Sequence, residues 1–277
     1  AIAAVQGVLV FESGELLPAT WIVFFDLLAL WLVLRAIETR RVRDAAVAGL
    51  SLGISAVFAP TIAPFAAIAA VLVRRPAAAA ALVVAAIVPI VPIAVRNFFH
   101  GGELVAVSTN GGLNLYLGNN ADYDDTFAMR PGHHWELLTT EPERHGITQP
   151  GASSGYFTRQ ASAFALAHPL SELALLGRKL YLFTDGAEIP RDTSIYEARD
   201  SSPVLAALVA PRPIDLPDGV LIPFALLGIA ALWRDRRRLA APLALLATTA
   251  ATCVLFFVTS RHRAPALPLF ALFAAGG

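Results

Sequence analysis

Apolar positions along the chain gather into long runs, and polar positions collect in short gaps between them and in one broad central segment. Leu16 to Leu34 is an apolar stretch interrupted by Asp26. At about 1.5 Å per residue a helix here is long enough to cross a hydrocarbon core of about 30 Å. Residues 77–95 repeat the pattern, with Pro89 and Pro92 expected to kink the helix. Residues 219–233, 239–258 and 264–277 predict three further spans. Between the first two lie 45–58 and 61–73, broken at Ala59-Pro60, which read either as two tilted helices or as a re-entrant hairpin. The pattern predicts an α-helical multi-pass membrane protein with two transmembrane blocks, 1–95 and 219–277, around a polar domain at 96–218.

Within the polar domain, Glu103 to Ser108 and Leu113 to Leu117 read as short strands joined by the turn Thr109-Asn110-Gly111-Gly112. Ser153 or Ser154 is expected to cap a helix that runs to His168. Pro169 then opens a second helix, with Leu173, Leu176, Leu180 and Phe183 on one side. The expectation is a small mixed α/β outer domain.

Composition agrees with the membrane reading, since 56% of residues are hydrophobic and 15% charged, against about 25% charged in a soluble domain. The formal net charge of zero excludes a global field that would attract nucleic acid. That zero conceals a net of −6 over residues 96–218 and +6 over the rest. Ten arginines sit in three gaps: Arg35, Arg40, Arg41 and Arg43; Arg74 and Arg75; Arg234, Arg236, Arg237 and Arg238. Assigned to the cytoplasm by the positive-inside bias, they put residues 96–218 on the outer side of the membrane. Arg261 and Arg263 are the exceptions, basic residues on the outer side. Lys179 is the only lysine, and the arginine and alanine bias suggests a GC-rich bacterial genome and hence the bacterial plasma membrane. Cys253, alone in an apolar run, reads as packing. A chain that starts at Ala1 and stops inside an apolar run is expected to be part of a longer one.

Several segments follow one pattern: Arg96-Asn97 after a proline-containing span; Ser108-Thr109-Asn110-Gly111-Gly112 leading to Gly118-Asn119-Asn120; Glu188-Ile189-Pro190; and Ser260-Arg261-His262-Arg263-Ala264-Pro265. Together with Phe11-Glu12-Ser13-Gly14-Glu15, they resemble the middle and C-terminal part of bacterial GT-C type membrane glycosyltransferases, the glycosyltransferase family 39-like group of protein O-mannosyltransferases and aminoarabinose transferases. The resemblance implies transfer of a sugar from a polyprenyl-phosphate donor to a protein, lipid or glycan acceptor at the outer face of the membrane. It also implies a catalytic carboxylate in a first outer loop, expected upstream of Ala1, and a possible divalent metal. His262 stands where the resemblance implies an aromatic residue.

Arg261 and Arg263 are candidates for holding the donor phosphate, because guanidinium groups bind phosphate through paired hydrogen bonds and stay protonated. Arg96, emerging at the same face, is a third. Glu12 and Glu15 are candidates for acid/base work, with helix capping as the simpler reading. Asn110, Asn114, Asn119 and His262 are candidate sugar or acceptor contacts. Asp26, inside a span, is expected to make an interhelical hydrogen bond. His133-His134-Trp135-Glu136 with His145 does not have metal-site spacing, and Gly151-Ala152-Ser153-Ser154-Gly155 lacks the strand a nucleophile elbow needs. Two alternatives stay open: a polysaccharide polymerase or ligase using a lipid pyrophosphate, and a non-catalytic transporter or assembly subunit.

Overall fold

The computed structural model describes residues 2–191, 193–211 and 213–276. The last position of the expected 264–277 span, Gly277, lies outside the described residues. The protein is 76% helical, and the described residues contain no strand, so the expected mixed α/β domain is overturned. The two segments read as strands behave differently. Glu103 to Ser108 is irregular, while Leu113 to Leu117 lies inside a helix, Gly111–Gly118. A helical turn brings Leu113 and Leu117 onto one face, against Tyr123 and Phe257. Gly112 permits the pairing of this helix with the one at 150–167, because a Cβ there would lie 1.9 Å from the Ser154 carbonyl oxygen.

The chain order is α1 (Gly7–Gly14), α2 (Ala19–Thr39), α3 (Val42–Phe58), α4 (Ala63–Leu72), α5 (Pro76–Ile87) and α6 (Val91–Gly101). Four short helices follow: α7 (Gly111–Gly118), α8 (Tyr123–Ala128), α9 (His133–Thr139) and α10 (Glu141–Arg144). The long pair α11 (Pro150–Ala167) and α12 (Pro169–Thr184) leads to α13 (Ile195–Ser201) and α14 (Pro203–Leu208). The chain closes with α15 (Asp218–Ala231), α16 (Ala240–Leu255), α17 (Ser260–Arg263) and α18 (Leu267–Gly276).

The multi-pass expectation is also overturned. Among the described residues, only Ala19–Thr39 and the kinked unit Pro76–Gly101 are long and apolar enough to cross a membrane. The other apolar runs are divided into shorter pieces. The 14 residues of α15, with Pro223 inside, reach about 21 Å, and the 16 of α16 about 24 Å. The kink at Pro89 appears as a break between α5 and α6, where Ile90 N–H donates to the Ile87 carbonyl at 2.9 Å.

Helices α2, α3 and α5 pack side by side, and α15 pairs with α18. Asp26 on α2 accepts a hydrogen bond from Ser55 on α3, the interhelical contact its position in the sequence suggested. Helices α3 and α5 approach closely. A Cβ on Gly49 would lie 2.1 Å from the Leu82 carbonyl oxygen, and one on Gly53 would lie 2.2 Å from that of Ala86. Four residues apart, these glycines form one flat strip on α3 where backbone meets backbone. Gly49→Ala is therefore expected to destabilise the protein by about 1–3 kcal/mol through forced separation of the pair. A thermal midpoint unchanged from wild type would show that α3 and α5 are not held this closely.

Candidate functional site

Helix α17 is a single turn, started by Thr259, whose hydroxyl accepts from the His262 N–H at 3.3 Å. It carries both outlying arginines, and they have different fates. Arg263 is 1% exposed and sealed in a buried network. It donates to the Asp185 carbonyl, to the Ala187 carbonyl at 3.3 Å, to the Glu188 carboxylate, and to Asp218 Oδ2 at 3.2 Å. Gln6 donates to the other oxygen of Asp218, so the network ties the first helix to the last third of the chain. With this burial Arg263 holds protein groups together, and a substrate phosphate has no access to it.

Asp218 lies against Glu188 in this network. Burial, then the Glu188 carboxyl beside it, pushes its pKa up to about 8 against the pull of Arg263. Arg263 and the two acids thus share one dry site.

Arg261 faces the other way, into two cavities that share a wall. The larger, about 370 Å³, lies between α2, α16 and α17, and its lining includes Asp26, Asn110, Asn114, Thr248, Thr252 and His262. The smaller, about 200 Å³, is lined by Asn114, Arg130, Trp135, Arg191, Arg261 and His262, with Phe257 beneath. Asn114, Arg261 and His262 belong to both. Arg191 stacks over Phe257, its guanidinium carbon 4.8 Å from the ring centroid, and His262 meets the same ring edge-on at 5.1 Å. Arg130, Arg191 and Arg261 therefore all line the small cavity. Such a site suits an oxyanion, and the adjoining cavity offers the amides and hydroxyls that bind a polar, uncharged group.

The remaining candidates separate clearly. Asn110 and Asn114 line the larger cavity. Asn119 is buried, donating to the Leu115 and Leu255 carbonyls and accepting from Lys179 at 2.7 Å, so it is a packing residue. Arg96 lines a neighbouring groove with His100 and Glu103, away from Arg261. Glu12 is buried within α1, and Glu15 stands at the C-terminal end of that helix and does not cap an N-terminus. Neither glutamate lines the Arg261 cavities. Asp26 is the one carboxylate lining them among the described residues, which does not fit a divalent cation needing several oxygen ligands.

The chain matches no family model, no curated protein and no solved structure.

Sequence reasoning missed Arg130 and Arg191, which are isolated charges in irregular segments and carry no periodic signal. It also passed over Thr248, Thr249 and Thr252, where a polar strip at helical spacing inside an apolar run was a readable sign of a lined cavity. On helix α12 the apolar side is divided, with Phe183 buried in the core. Leu173 and Leu180 are exposed, while Lys179 is fully buried. Its ammonium group donates to Gly118 O at 3.0 Å, Asn119 Oδ1 at 2.7 Å and Phe256 O at 3.3 Å, and so fixes α7 and the end of α16 behind the Arg261 site. Three donors matched to three acceptors outweigh the apolar pattern.

These buried groups set a pH signature. Burial lowers the Lys179 pKa from 10.5 to about 8, with Glu172 opposing. Asp218 rises from 3.8 to about 8. Asp218 binds its proton more tightly folded than unfolded, so the stability it lends is full below pH 3.8 and is lost as pH climbs to about 8. Lys179 binds its proton less tightly folded, so stability rises again between about 8 and 10.5. The expected thermal midpoint passes through a minimum near pH 8. Asp218→Asn flattens the acid side of that minimum and Lys179→Met the alkaline side, and a curve unchanged by either variant would contradict the assignment.

Proposed function

We propose that this protein is a membrane-associated glycosyltransferase that takes a sugar from a polyprenyl-phosphate donor. The observation that carries the reading is that Arg130, Arg191 and Arg261 line one small cavity beside a second polar one lined by Asp26. The arginines hold the donor phosphate, and Asn110, Asn114 and the threonines of α16 contact the sugar. As the bond between the sugar carbon and the phosphate oxygen breaks, its electron pair leaves on the phosphate, where the guanidinium groups stabilise the growing charge. The acceptor hydroxyl forms the new bond to the sugar carbon and gives its proton to Asp26, the available carboxylate.

A membrane setting is supported by the surface of Pro76–Gly101. Only 11% of its most apolar window is buried within the protein, whereas a core helix would be mostly covered. We place this protein in a bacterial plasma membrane with the Arg261 site on the outer side, a reading supported by the gathering of Arg40, Arg74, Arg237 and Arg238 around one cavity at the opposite end of α2. The test is a radiolabelled donor assay on the full-length protein. Transfer from a polyprenyl-phosphate sugar is the expected result, and failure with every such donor defeats the proposal. Turnover with lipid-pyrophosphate donors alone would favour a polymerase or ligase.

A further inference from the structure

At the ends of α2, α4 and α16 far from Arg261 lies a cavity of about 400 Å³. Its rim carries Arg40, Arg74, Arg237 and Arg238, and its floor is apolar, including Leu34, Ile37, Leu72 and Val73. Among the described residues, no acidic side chain lines it. The nearby Asp44 pairs with Arg35 and Arg43, at 3.7 Å each, and not with the rim. Among the described residues, none of the four rim arginines forms an ion pair.

Helix electrostatics divide these four arginines. Arg40 and Arg74 follow the C-termini of α2 and α4, where a cation is favoured by the helix dipole. Arg237 and Arg238 precede the N-terminus of α16, where a cation is disfavoured. That helix has no acidic residue in its first turn and no side-chain cap from Leu239. Two cations beside an uncapped N-terminus make sense together if an anion sits between them. The apolar floor specifies more than an anion. It calls for a ligand whose charged group is attached to hydrocarbon.

We propose that this groove is a binding site for an anionic glycerophospholipid. The phosphate lies between Arg74, Arg237, Arg238 and the first amides of α16, and the glycerol and upper acyl methylenes rest against Ile37 and Leu72. The volume falls within the range of small-molecule sites, about 300–1,000 Å³, and admits the headgroup and the start of one chain. The site lies at the opposite end of the helices from the transfer cavity and does not depend on the transfer reaction.

The test is thermal unfolding of the full-length protein in dodecyl maltoside micelles with dioleoylphosphatidylglycerol, with dioleoylphosphatidylcholine, or with sodium phosphate. Phosphatidylglycerol is expected to raise the midpoint by about 4 °C, and the other two by less than about 1 °C. Arg237→Gln/Arg238→Gln is expected to keep the lipid-free midpoint and lose the shift, while Arg144→Gln, remote from the groove, keeps both. If the double variant does not fold, Arg74→Gln serves in its place, with the shift at least halved. Equal stabilisation by phosphatidylcholine, or a full shift retained in the groove variants, overturns the proposal. A full shift with sodium phosphate alone also overturns it, in favour of a site for the free ion.

Discussion

Arg261→Ala is expected to lower sugar transfer by about 10²–10³-fold while leaving the thermal midpoint close to wild type. The loss follows from removing one of three arginines lining the cavity proposed to hold the leaving phosphate. The fold is spared because Arg261 faces the cavities and not the buried network around Arg263. Arg261→Lys is expected to recover part of the rate, since a lysine restores charge without the paired hydrogen bonds of a planar guanidinium. An arginine that merely anchors the chain at an interface would leave turnover unchanged on truncation, and full activity in Arg261→Ala would dismiss the phosphate role. Initial rates with a labelled donor, beside a melting curve of the same preparation, separate the outcomes.

Arg263→Met is expected to destabilise the protein by about 3–5 kcal/mol, the effect of stripping one partner from a buried ion network. Glu188 would then carry a buried charge without its counterion, and the Asp185 and Ala187 carbonyls would lose their donor. The cost resides in the charge left behind and not in the missing methylenes. Adding Glu188→Gln to Arg263→Met is accordingly expected to return a large part of the stability. Denaturant titration checks both values. If the double variant is no better than the single one, the network is held by packing and not by charge.

How far the sequence disclosed the protein depended on the range of the signal. Helix ends marked by proline were readable: Pro169 opens α12, and Pro89 divides α5 from α6. The three arginine loops were readable too, and the structure brings members of all three around one cavity. Hydrophobic length misled, because apolar runs of nearly span length form helices of only 14 and 16 residues, α15 and α16. The Asn-Gly-Gly segment misled in another way. Its local signal is for a tight turn, but contact with α11 makes those glycines the start of a helix. The site itself was half visible. Arg261, His262, Asn110 and Asn114 stood out through their place in the chain, whereas Arg130 and Arg191 join them only after residues far apart in sequence have folded together.

The spacing of the two arginines on α17 has a consequence of its own. Successive residues on a helix are turned by about 100°, so residues two apart point nearly opposite ways. Arg261 and Arg263 therefore let one short turn act as a partition, with a solvated compartment on one side and a dry one on the other. Had the pair been three or four residues apart, both charges would have shared one compartment, leaving either the buried acids or the open cavity without its cation. Inserting a single alanine between His262 and Arg263 converts the one spacing into the other.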